Sequence, residues 1–459
     1  KKEVVSENAG FTLIEALTVL FIFSLITTTF YSVFTLGSGY IIESKNRLGA
    51  VSLANEKMEI IRNLQYDSIG ITGGIPSGSI PEDEDVVENK HAYHVKTFVQ
   101  YVDDPFDGVL PSDIIFNDYK RVKVTVSWGG AGGGESSYSL TARFVPPGIE
   151  QSIAGGILSI NIIGSDGIGV PQSSVHITNS SVSPAVDVTV KTDDSGNIML
   201  PGAKESSLGY HMKITKDGYE TVGTIDEESV TYSVIDVPAS VVDGMLNVKT
   251  IIQDEVIDLT FNSSDYYGTR LEGIGFGLIG GRILGNDLLS SPAEPVYNVD
   301  GTYQTDSNGE KKLEGISPGE FFVSEITIPE GYTLIGMDNF DNFDHLTGQY
   351  GFVASPGEER INNIKIAEDA VNSVLVSAAN SADGNRLNGA TVTLSNTSGY
   401  NESMTTLPDG VAFFPLSNET GMEIGTYNLK IEAENYQEYN AEIEVVNGLV
   451  EHQANLTVN

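Results

Sequence analysis

Apolar positions change period three times along this chain. Residues 11–36 form a continuous apolar run in which Glu15 is the only charged side chain, and the next charge is Glu43. At ~1.5 Å of rise per residue, a helix of that length crosses a hydrocarbon core. The first proline is Pro76, so nothing interrupts a helix before it, although Gly37 and Gly39 are soft points. After Glu43, Leu48, Val51, Ala54, Met58 and Ile61 recur at helical spacing and leave Glu56, Lys57, Glu59 and Arg62 on other faces. The pattern predicts one helix over about 11–64. Its first part is suited to lipid, and its second to packing on a sheet.

Past residue 64 the period becomes two. Residues 71–88 are rich in Gly, Pro and acid and read as a loop. Tyr93, Val95, Thr97, Val99 and Tyr101 then alternate with more polar residues. Val122, Val124, Val126 and Trp128 do the same, as do Tyr138, Leu140, Ala142 and Phe144. These runs predict a small antiparallel sheet over about 90–145. Residues 129–134 join the last two strands. They lack the lysine and the strand-to-helix setting of a phosphate loop. Pro146-Pro147-Gly148 closes the unit.

The remainder repeats. Thr192-Asp193-Asp194-Ser195-Gly196 returns as Thr305-Asp306-Ser307-Asn308-Gly309, and more loosely as Thr406-Leu407-Pro408-Asp409-Gly410. A second signal follows each: Asp217-Gly218-Tyr219, Glu330-Gly331-Tyr332 and Glu434-Asn435-Tyr436. The step from motif glycine to tyrosine is 23 residues in the first two copies and 26 in the third. Two motifs at matched spacing point to three β units, each with a tight turn, a strand pair and a second turn whose tyrosine packs inward. Short β-prone runs at 157–163, 371–378 and 390–394 fit, and Ser174-Val175-His176-Ile177 echoes Ala390-Thr391-Val392-Thr393-Leu394. The second unit is the least regular, over 275–285.

Composition narrows the chemistry. The 459 residues carry 49 glycines and a net charge of −38, which suits turn-rich β units and disfavours nucleic acid or anionic head groups as partners. Without cysteine, disulfides and thiolate metal sites are excluded. His91 and His94 fall on opposite faces of a strand, which speaks against a shared zinc ion. The acids at 193–194 and 82–85 read as turn residues before they read as calcium ligands. No nucleophile elbow is present. No catalytic residue, cofactor or metal is therefore expected, and the chain is read as a non-enzyme.

The order Gly10-Phe11-Thr12-Leu13-Ile14-Glu15, preceded by Lys1-Lys2 and a short polar segment, inverts the layout of a secretory signal, whose cleavage site follows its apolar region. It resembles the processing signal of type IV pilins and pseudopilins. The resemblance implies that a prepilin peptidase cuts between Gly10 and Phe11 and N-methylates Phe11, with Lys1 and Lys2 held on the cytoplasmic side. It also implies that Glu15 pairs with the Phe11 amine of a neighbouring subunit, giving a buried charge its opposite. Many members carry a proline within the helix and this chain does not. The segments 63–67 and 119–128 are similar to those of minor pilins. The repeated units resemble the carboxypeptidase regulatory-like and collagen-adhesin B-type prealbumin-like sandwiches, which implies spacer or adhesive modules. Some members of those families carry Lys–Asn cross-links, for which Lys213 is a candidate lysine with no evident acceptor.

The expected fold is an α+β pilin domain, a long N-terminal helix packed on a small antiparallel sheet, followed by tandem all-β prealbumin-like sandwiches. The expected boundaries are a leader at 1–10, a pilin domain at 11–148 with its transmembrane part at 11–36, and sandwiches at 151–255, 256–370 and 371–459. The expected function is that of a minor type IV pilin displaying acidic modules for surface or cell contact. Its partners would be the peptidase, other pilin subunits, the assembly platform and the cytoplasmic (inner) membrane. A type II secretion pseudopilin and a membrane-anchored binding protein that never polymerises are the alternatives.

Overall fold

A computed structural model describes residues 12–102, 118–130, 134–147, 154–417 and 420–459. Helix α1 runs unbroken over Leu13–Arg62, capped at its start by the Thr12 hydroxyl. The sequence contains everything needed for this length: no proline, and three glycines, too few to break it. Ala50, Leu53, Ala54, Met58 and Ile61 are its buried apolar face. The predicted face is corrected in one respect. Leu48 is 70% exposed, because the stripe in contact with the sheet is rotated toward Ala50 and Leu53.

The sheet against α1 has four strands, β1 (Asp83–Glu88), β2 (His91–Val102), β3 (Tyr119–Gly129) and β4 (Glu135–Phe144), in sequential antiparallel order. The three alternating runs are β2, β3 and β4. The segment read as loop out to residue 88 is corrected over 83–88. There Val86 pairs with Tyr93, Asp83 and Asp85 take outward positions of an edge strand, and Glu84, on the same parity as Val86, meets Lys57 of α1. Tyr93, Val95, Val99, Val122, Val124, Val126 and Trp128 close the core onto the helix.

Three β-sandwiches follow. Each begins and ends with a pair of adjacent parallel strands in an otherwise antiparallel fold. These pairs are Gly156–Ile163 with Leu246–Ile252, Ile257–Asp265 with Glu359–Glu368, and Ser373–Asn380 with Leu449–Leu456. Each sandwich has its own apolar core, around Leu158, Ile160 and Tyr210 in the first, Phe261, Phe276 and Phe352 in the second, and Val376, Phe414 and Tyr427 in the third. The architecture is thus one long N-terminal helix, a small sheet, and tandem prealbumin-like sandwiches.

The repeat motif has one physical job in all three copies. Its threonine is buried and its hydroxyl accepts from a backbone N–H of a segment earlier in the same sandwich. Thr192 Oγ1 accepts from Ser173 N at 2.9 Å and donates to Val170 O at 2.7 Å. Thr305 Oγ1 accepts from Ile274 N at 3.1 Å and is hydrogen-bonded to Ser263 Oγ. Thr406 Oγ1 accepts from Ala390 N at 3.0 Å and donates to Leu387 O. The motif glycines need φ of +79°, +64° and +70°, and a Cβ at any of them would strike the carbonyl of the sandwich's first strand. The middle residue of the second signal is also left-handed, at Gly218, Gly331 and Asn435. Tyr219, Tyr332 and Tyr436 pack against their respective cores.

Candidate functional site

The outward half of α1 is the first candidate. Every residue from Thr12 to Gly37 is exposed, including the large apolar side chains Leu13, Phe21, Phe23, Phe30 and Phe34. Among the described residues, this is one helix long and apolar enough to cross a membrane. Six of its hydroxyls are satisfied within the helix. Thr18, Thr27, Thr28, Thr29, Ser32 and Thr35 each donate to the carbonyl four residues earlier at 2.8–3.0 Å. Such back-bonding removes the cost of carrying hydroxyls into an apolar phase. Glu15 has no equivalent relief. It lies in the first helical turn, where its backbone N–H reaches the Thr12 hydroxyl at 3.4 Å, and its carboxylate has no partner among the described residues. Gly10 and Phe11 lie outside the described residues.

The helix enters the sheet through polar contacts. Trp128 Nε1 donates to Glu43 Oε1 at 3.2 Å, and Tyr93 Oη donates to Asn46 O at 3.1 Å. Gly49 is required here, because a Cβ would overlap the Tyr93 hydroxyl. At the far end Lys120, only 2% exposed, donates to Tyr66 O at 2.9 Å and Ile69 O at 2.7 Å, with its ammonium over the Tyr66 and Tyr101 rings. Burial lowers its pKa. This lysine anchors the turn after the helix. Sequence reasoning passes over it, although it shares the inward parity of Val122 and Val124.

The histidines part company. His94 bridges Asp85 at 2.9 Å and Asp83 at 3.1 Å across β1 and β2, and the bond from Asp85 leads in raising its pKa. His91 sits at the hairpin end of β2, opposite Glu88. No group of three or more candidate metal ligands occurs among the described residues. Lys213 is exposed on its strand and does not enter a core. The second sandwich does bury an asparagine, Asn362, fully enclosed with both amide atoms unpartnered among the described residues, but Phe261 stands opposite it on the parallel strand.

The junctions between units are the second candidate. The sheet on α1 meets the first sandwich through Lys123 to Asp194 at 2.8 Å and Lys191 to Glu82 at 2.8 Å, flanking a cleft of about 510 Å³. The first sandwich meets the second by lending a strand. Ser233–Val234, in an excursion after Val222–Gly223, pairs with Gly275–Asp287 of the second sandwich. Arg282 then reaches back to Glu220 at 2.9 Å, Asp236 at 2.8 Å and the Ile252 carbonyl at 2.8 Å. The irregular segment of the second unit is therefore a long, bulged strand that serves this joint. The second sandwich meets the third through Ile335, Ala367, Leu375 and Phe413, with the Tyr266 ring tilted at 45° to that of Phe413, centroids 4.7 Å apart, and Tyr267 Oη donating to Pro415 O.

With that geometry in view, the comparisons are informative in one place. Residues 258–339 match the family model "SpaA: Prealbumin-like fold domain". This falls on the second sandwich, the copy whose sequence resemblance is weakest. No curated protein matches the chain. Among solved structures, the Bacillus anthracis TIE protein is 16% identical, with 82% of this chain and 61% of that one covered at a TM-score of 0.20. The chain thus spans about three fifths of that protein's length. A Streptococcal ancillary pilin is 13% identical, covering 66% of this chain and 99% of that one at 0.20. The shaft pilin SpaA from Lactobacillus rhamnosus GG is 15% identical, covering 47% and 99% at 0.19. TM-scores this low carry no weight for function. The class defined by fold and family match is that of proteins with tandem prealbumin-like sandwiches behind a long N-terminal helix.

Proposed function

We propose that the chain is a non-enzymatic minor type IV pilin. Its helix inserts into the cytoplasmic membrane, a prepilin peptidase cleaves between Gly10 and Phe11 and methylates Phe11, and the mature subunit enters a pilus through the assembly platform. The units are the leader at 1–10, the pilin domain at 11–148, and sandwiches at 151–255, 256–370 and 371–459. The sandwiches project from the filament at the cell surface for contact with a surface or another cell.

One observation carries this reading. The exposed apolar half of α1 is continuous with the half packed on the sheet, and its one carboxylate, Glu15, stands in the first turn with no partner among the described residues. A plain anchor has no use for that charge, whereas an assembling helix can set it against a neighbour's amine. The test is mass spectrometry of the mature chain together with Glu15→Ala. A start at methylated Phe11, and a variant that still inserts but no longer enters filaments, is the expected result. An uncut start, or normal incorporation of the variant, would return the chain to a simple anchored protein. Co-purification with a secretin-dependent secretion filament would favour the pseudopilin.

A further inference from the structure

The third repeat departs from the other two at one informative place. In the first two copies an aspartate directly follows the threonine and closes the turn. Asp193 Oδ1 accepts from Ser195 N and Asn197 N at 2.8 Å, and Asp306 Oδ1 accepts from Asn308 N and Glu310 N. In the third copy that position is Leu407, and an acid, Asp409, stands where the others have Ser195 and Asn308. Asp409 is 3% exposed and faces the second sandwich. Its Oδ2 lies so close to Gly336 that a Cβ there would collide with it. Its Oδ1 accepts from Val411 N at 3.2 Å, and it has no ion-pair partner among the described residues.

The charged groups around it compensate only in part: the Arg386 charge favours the carboxylate, the Asp338 charge opposes it, and burial outweighs Arg386. Arg386, from the same sandwich, makes no ion pair among the described residues, and its Nε and Nη1 are buried without a partner there. From the second sandwich come Asp338, engaged by Lys365 at 2.9 Å, the buried Tyr350, and Tyr266. Glu402 accepts from Tyr400 Oη and Leu416 N, both at 2.7 Å. The His345 ring lies close to Gly384 on the third sandwich. A void of about 100 Å³ adjoins Asp409, Asp338 and Met404. A neutral carboxyl suits this setting and a carboxylate does not.

We propose that the contact between the second and third sandwiches is a proton-operated hinge, in which protonated Asp409 holds the third sandwich against the second and ionised Asp409 lets it swing away. Burial pushes this carboxyl up to about 6 when docked, from the usual 3.8 when hydrated. Docking is therefore fully favoured below about 3.8 and weakens as the pH rises through about 6. Across that window the docking constant falls by about 100-fold.

The test uses the full chain in detergent micelles with spin labels on cysteines introduced at the exposed positions Asp300 and Asn440, since the chain has none of its own. Urea is set so that docked and swung-away distances are both populated at neutral pH. The expected result is a shift to the docked distance on acidification with a midpoint near 6. Asp409→Asn should stay docked at every pH, and His345→Gln should titrate like the parent. Should the asparagine variant misfold, Asp409→Ser, the residue of the first repeat, gives the same reading. A parent indifferent to pH, an Asp409 variant that still titrates, or loss of the effect in His345→Gln would overturn the hinge.

Discussion

The first sandwich grips the second with backbone and charge, whereas the second meets the third across aromatic and aliphatic surface. At the former joint a strand of one unit pairs into the other's sheet, and Arg282, 17% exposed, is enclosed by Glu220 and Asp236. At the latter the contact is Ile335, Ala367, Leu375, Phe413 and Tyr266, with one acid, Asp409, that makes no ion pair among the described residues. The difference shows how two joints made of the same kind of unit can differ in stiffness. Directional bonds fix one orientation. An apolar patch fixes mainly the fact of contact.

The largest break of that comparison should come from Arg282→Ala. It leaves Glu220 shielded from water without its cation, while Asp236 keeps Lys249 at 3.3 Å, at a cost of ~3–5 kcal/mol. Calorimetry should then show the first two sandwiches melting apart where the parent melts them together. Phe413→Ala at the other joint removes aromatic burial worth ~3 kcal/mol, since Phe413 is 3% exposed. Proteolysis between the last two sandwiches should accelerate while the first joint is untouched. A third joint, from the helix-bearing sheet to the first sandwich, should be weakest. Lys123→Ala removes an ion pair whose aspartate is 66% exposed, worth ~0–1 kcal/mol and fading with salt. The smallest effect should be at His94. Its raised pKa adds stability that is present below the ordinary histidine range and lost as the pH rises through the folded value. Asp85→Asn should lower that pKa, read by NMR of the ring protons.

Much of this is legible from periodicity. The spacing of apolar residues yields α1, and period-two alternation yields β2, β3 and β4, because those patterns report which side faces a core. What escapes lies where a polar residue occupies an inward position. Lys120 keeps the parity of Val122 yet reads by its charge as a surface residue. Asp83–Glu88 is too acidic to look like a strand, but an edge strand tolerates charge on its outer face. Arg282 is inconspicuous in sequence, since its role exists only once two units are side by side. The departure of Asp409 from its repeat is visible in the chain alone, and only the facing surface of the second sandwich gives it meaning. Glu15 stands out in the sequence and lies in the first turn of α1, while Gly10 and Phe11 lie outside the described residues.

The paired parallel strands that open and close every sandwich have a mechanical consequence. The chain enters each unit at one end of that pair and leaves at the other, so tension pulled along the protein loads the evenly spaced bonds between them in shear, all together, and does not peel them one by one. A tether built of such links resists extension best along the line joining its two ends.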